Sequence, residues 1–165
     1  MQPITVAIAD EDAGRRARFE HSLQSEQDIK VLTNVSTSEL GVTRNRRRKP
    51  RTNITAIEDV VARTRRLNPR ILLASLKQCT EENGAMLVSL RHECPETLVV
   101  LLADESAKQE EQIMQALARG ARGYLNLEAD QILISKAVQV IDRGEAWVPR
   151  KMLGKIMDEV LHWRH

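Results

Sequence analysis

Asn68-Pro69-Arg70-Ile71-Leu72-Leu73-Ala74-Ser75-Leu76 is the stretch on which the fold turns. Proline lacks an amide proton and pushes the residue before it out of helical geometry, so Asn68-Pro69 ends whatever helix precedes it. The run over 71–76 is then apolar without alternation, broken only by Ser75. A strand with one wet face alternates polar and apolar residues; a strand covered on both faces does not. The stretch therefore reads as a buried parallel strand closing at Ser75, and the polar residues 77–83 read as the loop leaving it.

The same pattern recurs to either side. Ile4-Thr-Val-Ala-Ile-Ala9 is a short apolar run that ends in Asp10-Glu11-Asp12, and 29–35 is a second candidate strand. Leu98-Val-Val-Leu-Leu-Ala103 and Gly123-Tyr-Leu-Asn-Leu127 are a fourth and a fifth. Helical spacing fills the intervals. Ala13, Ala17, Phe19 or Glu20, and Leu23 mark one helix, and Ile54, Ile57, Val60, Val61, Thr64 and Leu67 a second. Met86, Leu87 and Leu90 mark a third, Ile113, Met114, Leu117 and Ala118 a fourth, and Ile132, Leu133, Ala137, Val140 and Ile141 a fifth. Five strands alternating with five helices predict an α/β fold: a doubly wound, flavodoxin-like, five-stranded parallel sheet. After Pro149, the residues Met152, Leu153, Ile156, Met157, Val160 and Leu161 make one apolar stripe of an extra C-terminal helix. That helix either packs on its own domain or presents a partner surface.

Composition narrows the class. At 165 residues the chain supports one domain with a real core. Aromatics make up only 2 % of it, so aliphatic side chains must fill that core. The net charge of +2 hides an uneven distribution. Arg44, Arg46, Arg47, Arg48, Lys49 and Arg51 form a basic tract within a stretch, 36–53, that has no apolar period. The rest of the chain is net acidic. The tract reads as a long exposed loop, either a solvated insertion or a contact for nucleic acid or an acidic partner. No aromatic residue is interleaved there to stack on bases. Cys79 and Cys94 match no metal or redox spacing and read as free thiols of a cytoplasmic protein. His92 near Cys94 lacks further ligands, so no metal site is expected. No apolar run approaches the ~20 residues that cross a bilayer.

Several segments together resemble the receiver domains of LuxR/NarL-type bacterial response regulators. They are 4–12 with its acidic residues, 68–76, 98–103, Leu117-Ala-Arg-Gly-Ala-Arg-Gly-Tyr-Leu125, and Gly144-Glu-Ala-Trp-Val-Pro-Arg150. The resemblance implies a CheY-like receiver over 1–148, interrupted by the 36–53 basic insertion, with 149–165 as a C-terminal amphipathic helix or linker. It also implies a two-component signalling context, a homodimer, and DNA contact through a helix–turn–helix that does not occur after residue 149.

The phosphoryl chemistry implied by the family is not carried by these residues. Asp10 and Glu11 fall where the resemblance places the acidic pair for a divalent cation. Ser75 falls at the phosphoacceptor aspartate, Leu102 at the switch Ser or Thr, and Leu127 at the conserved lysine. A serine hydroxyl needs an adjacent base to act as a nucleophile, and leucine offers no charge to a phosphoryl group. A weakly held divalent cation at Asp10 and Glu11 is the one cofactor the pattern allows; otherwise the pair is a solvated strand end capping the first helix. The expectation is a non-enzymatic, phosphorylation-independent pseudo-receiver that regulates transcription and dimerises through its first and fifth helices, its fourth-helix/fifth-strand face, or its terminal helix. The alternative is a stand-alone sensor of a small molecule. Trp147 and Arg150 are similar to a Trp-x-x-Arg motif for cyclic-di-GMP, although ordinary family members also carry Trp-Val-Pro-Arg.

Overall fold

The computed structural model describes residues 2–33, 53–104, 107–148 and 150–163. The basic tract from Arg44 to Arg51 lies outside them. Strands β1 (Ile4–Ala9), β2 (Ile29–Val31), β3 (Ile71–Ser75), β4 (Leu98–Ala103) and β5 (Gly123–Asn126) form one sheet in the order β2-β1-β3-β4-β5, with every neighbouring pair parallel. The expected doubly wound α/β architecture is what the chain adopts. Central β3 is buried along its whole length, as its unbroken apolar run predicts.

Helices α1 (Ala13–Gln24), α2 (Asn53–Leu67), α3 (Leu76–Thr80), α4 (Ala85–Glu93), α5 (Ala107–Ala118), α6 (Gln131–Asp142) and α7 (Arg150–Trp163) cover the sheet. Side chains alternate across a strand, so each strand feeds two cores. Val6, Ile8, Ile71, Leu73, Val100 and Leu102 face one core with Phe19 and Leu23 of α1 and Ile134, Val138 and Ile141 of α6. Leu72, Ala74, Val99 and Leu101 face the other, with Ile57, Val61, Met86, Leu90 and Ile113 from α2, α4 and α5.

Three boundaries differ from the sequence reading. The segment 77–83 is not an open loop. Ser75 caps α3 by accepting the Gln78 amide, and Leu76 and Cys79, three apart, turn into the core. Glu82, Asn83 and Gly84 then hold positive φ of 53°, 57° and 78°, a left-handed turn that swings the chain into α4. At Gly84 a Cβ would come within 2.9 Å of the Arg119 side chain, so glycine serves both the backbone and the close approach. The second strand ends at Val31 rather than 35. The fifth ends at Asn126, although the Leu127 amide still donates to the Ala103 carbonyl at 3.0 Å, a normal hydrogen-bond length.

The buried stripes of α1 and α6 are also rotated from the expected ones. Phe19 and Leu23 are buried on α1 while Ala13 and Ala17 are exposed. On α6 the inner face is Ile134, Ala137, Val138 and Ile141, which leaves Ile132 and Leu133 exposed. Apolar residues on both sides of α6 made its inner face ambiguous from spacing alone.

The C-terminal helix packs on its own domain. Met152 is buried in the α2/α4/α5 core, Ile156 lies against it, and Lys155 pairs with Glu110 of α5. Leu153, Met157 and Leu161 stay exposed, one turn apart along the outer side. Among the described residues no helix is long and apolar enough to cross a membrane.

Candidate functional site: the carboxyl ends of the strands

In a parallel α/β sheet the carboxyl ends of the strands form the usual ligand crevice. Asp10 follows β1 there, Ser75 ends β3, Leu102 sits next to the last residue of β4, and Leu127 follows β5. The register pairs Ala9 with Ala74, Ser75 with Leu102, and Leu102 with Leu125. Ser75 shares a strand face with Ile71 and Leu73. It therefore lies toward the core that holds Leu102 and against which Leu127 packs. The structure brings all four residues to one edge.

Ser75 is buried, and its Oγ accepts the Gln78 amide at 3.3 Å. That bond makes it a helix cap, a role for which serine is among the preferred residues. Leu102 is buried in the core and contributes no polar atom.

Asp10 is the most constrained group of the set. Its side chain is fully buried. Oδ1 accepts the Asp12 amide at 2.9 Å and Arg15 Nη2 at 2.8 Å, and Oδ2 accepts Arg15 Nε at 2.9 Å. The main-chain oxygen of Asp10 accepts Arg16 Nη1 at 2.9 Å. Burial works to raise the Asp10 carboxyl, but the hydrogen bonds from Arg15 and the Asp12 amide outweigh it and hold it below the ordinary value of 3.8. The hydrogen bond to Asp10 in turn raises the Arg15 guanidinium.

Glu11 stands beside Asp10 but nearer solvent. It is exposed, and its Oε1 lies 3.7 Å from Arg15 Nη2. Asp12 caps α1 by accepting the Arg15 amide at 3.0 Å, and its Oδ2 stands 3.9 Å from Arg15 Nη1. Of the expected acidic pair Asp10 is buried and Glu11 exposed, yet the two side chains stay in hydrogen-bond contact, which helps lower the Asp10 carboxyl.

Three arginines of α1 were not singled out from the sequence. Besides Arg15 and Arg16, Arg18 donates to the carbonyl oxygens of Leu127 and Ala129, beyond β5. A signal was present: Glu11 and Arg15 are spaced i,i+4, and Arg15, Arg16 and Arg18 crowd the first turns of a helix that begins beside three carboxylates. Arg63 of α2 adds a fourth guanidinium on the Ile8 carbonyl at 3.1 Å; burial first, then Arg16 and Arg66, lowers its pKa.

Trp147 belongs to the scaffold. Its main chain bridges Gly123, with the Tyr124 amide on its carbonyl at 2.9 Å and its own amide on Arg122 at 3.2 Å. Its ring packs on the α1/α6 core. Arg150 is exposed at the first residue of α7. An open groove of about 520 Å³ lies elsewhere, between α2 and α4, lined by Ile57, Glu58, Val61, Ala62, Arg65, Ser89 and Glu93. Both cysteines are buried, and desolvation pushes the Cys79 thiol up to about 12. Among the described residues no cluster of three or more His, Cys, Asp or Glu side chains could hold a metal ion.

The strand order β2-β1-β3-β4-β5, parallel throughout, is the fold of solved receiver domains. The chain is similar in sequence to a response regulator. It is 23 % identical over 163 residues to the oxygen regulatory protein NreC of Staphylococcus haemolyticus, and that alignment covers 97 % of this chain and 64 % of NreC. The chain thus spans just under two thirds of that relative's length. The receiver domain of NarL from Mycobacterium tuberculosis superimposes with a TM-score of 0.63 at 18 % identity, covering 88 % of this chain and all of that one. A LuxR family DNA-binding response regulator from Silicibacter pomeroyi does so with a TM-score of 0.55 at 22 % identity, covering 90 % of this chain and 98 % of that one. No protein-family model matches the chain.

Proposed function

We propose that this chain is a phosphorylation-independent regulatory domain of a cytoplasmic bacterial transcription regulator and that it acts as a dimer. One observation carries the reading. At the position that would accept phosphate, a buried serine caps α3, beside Leu102 in register. A phosphoacceptor must offer a nucleophilic oxygen to solvent, and the surrounding groups must neutralise the incoming charge. Ser75 offers a hydroxyl already used to order the chain, and Leu102 and Leu127 bring no charge. The guanidinium nearest the acidic residues is bound to Asp10.

In this reading the signal passes through surfaces rather than through an acyl phosphate. DNA contact belongs to a separate helix–turn–helix module and not to the receiver fold. Leu153, Met157 and Leu161 form the exposed apolar row that a second copy of the chain would cover, and Gly154 beside them leaves open space for close approach. Nucleotide binding through Trp147 and Arg150 has less support, since the Trp147 main chain and ring are committed to β5 and the core.

Incubation with acetyl phosphate and Mg²⁺, followed by intact-mass measurement, tests the first half. The expected spectrum lacks any species heavier by one phosphoryl group, and a stoichiometric adduct would overturn the proposal. Sedimentation of the wild type and of Met157→Glu tests the second. A dimer that the substitution dissociates is expected; a strictly monomeric wild type at high concentration would remove the dimer from the reading.

A further inference from the structure

The family resemblance implies a divalent cation between Asp10 and its neighbours, and the residues present do not fit one. A hard cation such as Mg²⁺ needs about six oxygen ligands in near-octahedral array and keeps several as water. It gains most from carboxylate oxygens that no other donor has claimed. Here every oxygen of Asp10, side chain and main chain, accepts a hydrogen bond from an arginine of α1. Oδ1 also holds the Asp12 amide. Glu11 is exposed and faces the Arg15 guanidinium at 3.7 Å, Ser75 Oγ is occupied by the Gln78 amide, and the Leu102 and Leu127 side chains offer no donor atom.

We infer that Arg15 is the resident cation of this pocket: its guanidinium stands where a divalent ion would sit and closes the site to metal. The geometry is the one in which arginine is strongest. Nε and Nη2 grip the two carboxylate oxygens as a parallel fork at 2.9 and 2.8 Å. Asp12 fixes the base of the side chain by capping the Arg15 amide, and Glu11 and Asp12 stand within 4 Å of the outer nitrogens. The single guanidinium is thus shared among three carboxylates, and a metal could enter only by expelling it from a buried counter-charge. Leaving such a charge unpaired is strongly unfavourable. The inference goes beyond the phosphorylation reading, because metal occupancy is measurable whether or not any phosphoryl group is transferred.

The test is a Mn²⁺ titration of the full chain, followed by water-proton relaxation, on the wild type, Arg15→Met, and the double variant Asp10→Asn with Arg15→Met. The wild type should show no saturable site up to about 1 mM, the range of the weakest protein Ca²⁺ sites. Folded Arg15→Met should bind at least about tenfold more tightly, and the double variant should lose the gain, as expected on removing a carboxylate ligand. A saturable wild-type site below that limit, or a folded Arg15→Met that binds no better than the wild type, overturns the inference. If Arg15→Met does not fold, the wild type decides alone through its Arg15 Nε–H resonance. That signal should keep its position and slow exchange at millimolar Mg²⁺; loss or a large shift would mean that the metal has displaced the side chain.

Discussion

Replacing Met152 with alanine measures how firmly the C-terminal helix belongs to the receiver fold. Met152 is 2 % exposed, whereas Met157, five residues on along the same helix, is 64 % exposed. Truncating a buried methionine removes about three heavy atoms, worth ~0.8 kcal/mol each by transfer. The cavity left behind adds to this, giving ~2–5 kcal/mol for buried Met→Ala in general. Helix α7 ends the described chain and can settle inward to close part of the void, so about 2 kcal/mol is expected here. For Met157→Ala the expected change is within about 0.5 kcal/mol, since the site is wet and alanine favours helix. Urea unfolding followed by circular dichroism resolves the two. With an m-value of ~2 kcal/mol per M, Met152→Ala should lower the midpoint by about 1 M and Met157→Ala should barely move it. The Lys155–Glu110 pair contributes little to the comparison, because exposed ion pairs are worth ~0–1 kcal/mol. Equal midpoints for the wild type and both variants would refute the docking. They would restore the reading of 149–165 as a linker and remove the fixed platform that holds Leu153, Met157 and Leu161 outward.

Further outcomes follow from single contacts. Asp10 has a lowered folded-state pKa, so its pairing stabilises the fold fully above 3.8 and the contribution is lost as pH falls through the depressed value; Asp10→Asn should be less stable at neutral pH, and its stability should fall less than that of the wild type on acidification, as read from urea midpoints at several pH values. The Cys79 thiol, pushed up to about 12 and buried, should resist iodoacetamide in the native protein at pH 8 and react once urea unfolds it. Gly123→Ala would place a Cβ 2.6 Å from the Trp147 carbonyl, so the bridge to β5 must open; a loss of ~1–3 kcal/mol is expected, with an altered Trp147 fluorescence spectrum.

The sheet was readable because burial on both faces writes itself into composition. Runs such as 98–103 and 71–76 carry almost no polar residue, and Asn68-Pro69, Gly120 and Gly144 punctuate them; each of these three has a positive φ at its asparagine or glycine. Short structure was harder. The five residues of α3 show too little period to announce a helix, and only the cap at Ser75 and the Leu76/Cys79 spacing hinted at one. The inner face of α6 was misread because Ile132 and Leu133 are as apolar as the buried set. At the carboxyl edge, the placement of Ser75, Leu102 and Leu127 at strand ends was legible, but the partner of Asp10 was not. Whether an arginine five residues on turns back to a carboxylate depends on how the chain leaves β1 and enters α1, which composition does not encode.

Helix α1 links these findings. It begins at the acidic end of β1, and its arginine side chains reach carboxylate and carbonyl oxygens there and carbonyl oxygens beyond β5. Asp10 and the carbonyls of Leu127 and Ala129 are thereby joined through one rigid element. In a site that cycles between bound and free states such oxygens must be free to exchange partners. Charge-assisted hydrogen bonds to a buried carboxylate do the opposite, because each conformer that breaks one leaves a desolvated charge behind. The arginines of α1 therefore argue for a carboxyl edge held in one arrangement. Any regulation by this domain is then expected to act on what docks against it, with the exposed row of α7 as the first surface to test, and not on a rearrangement at Ser75.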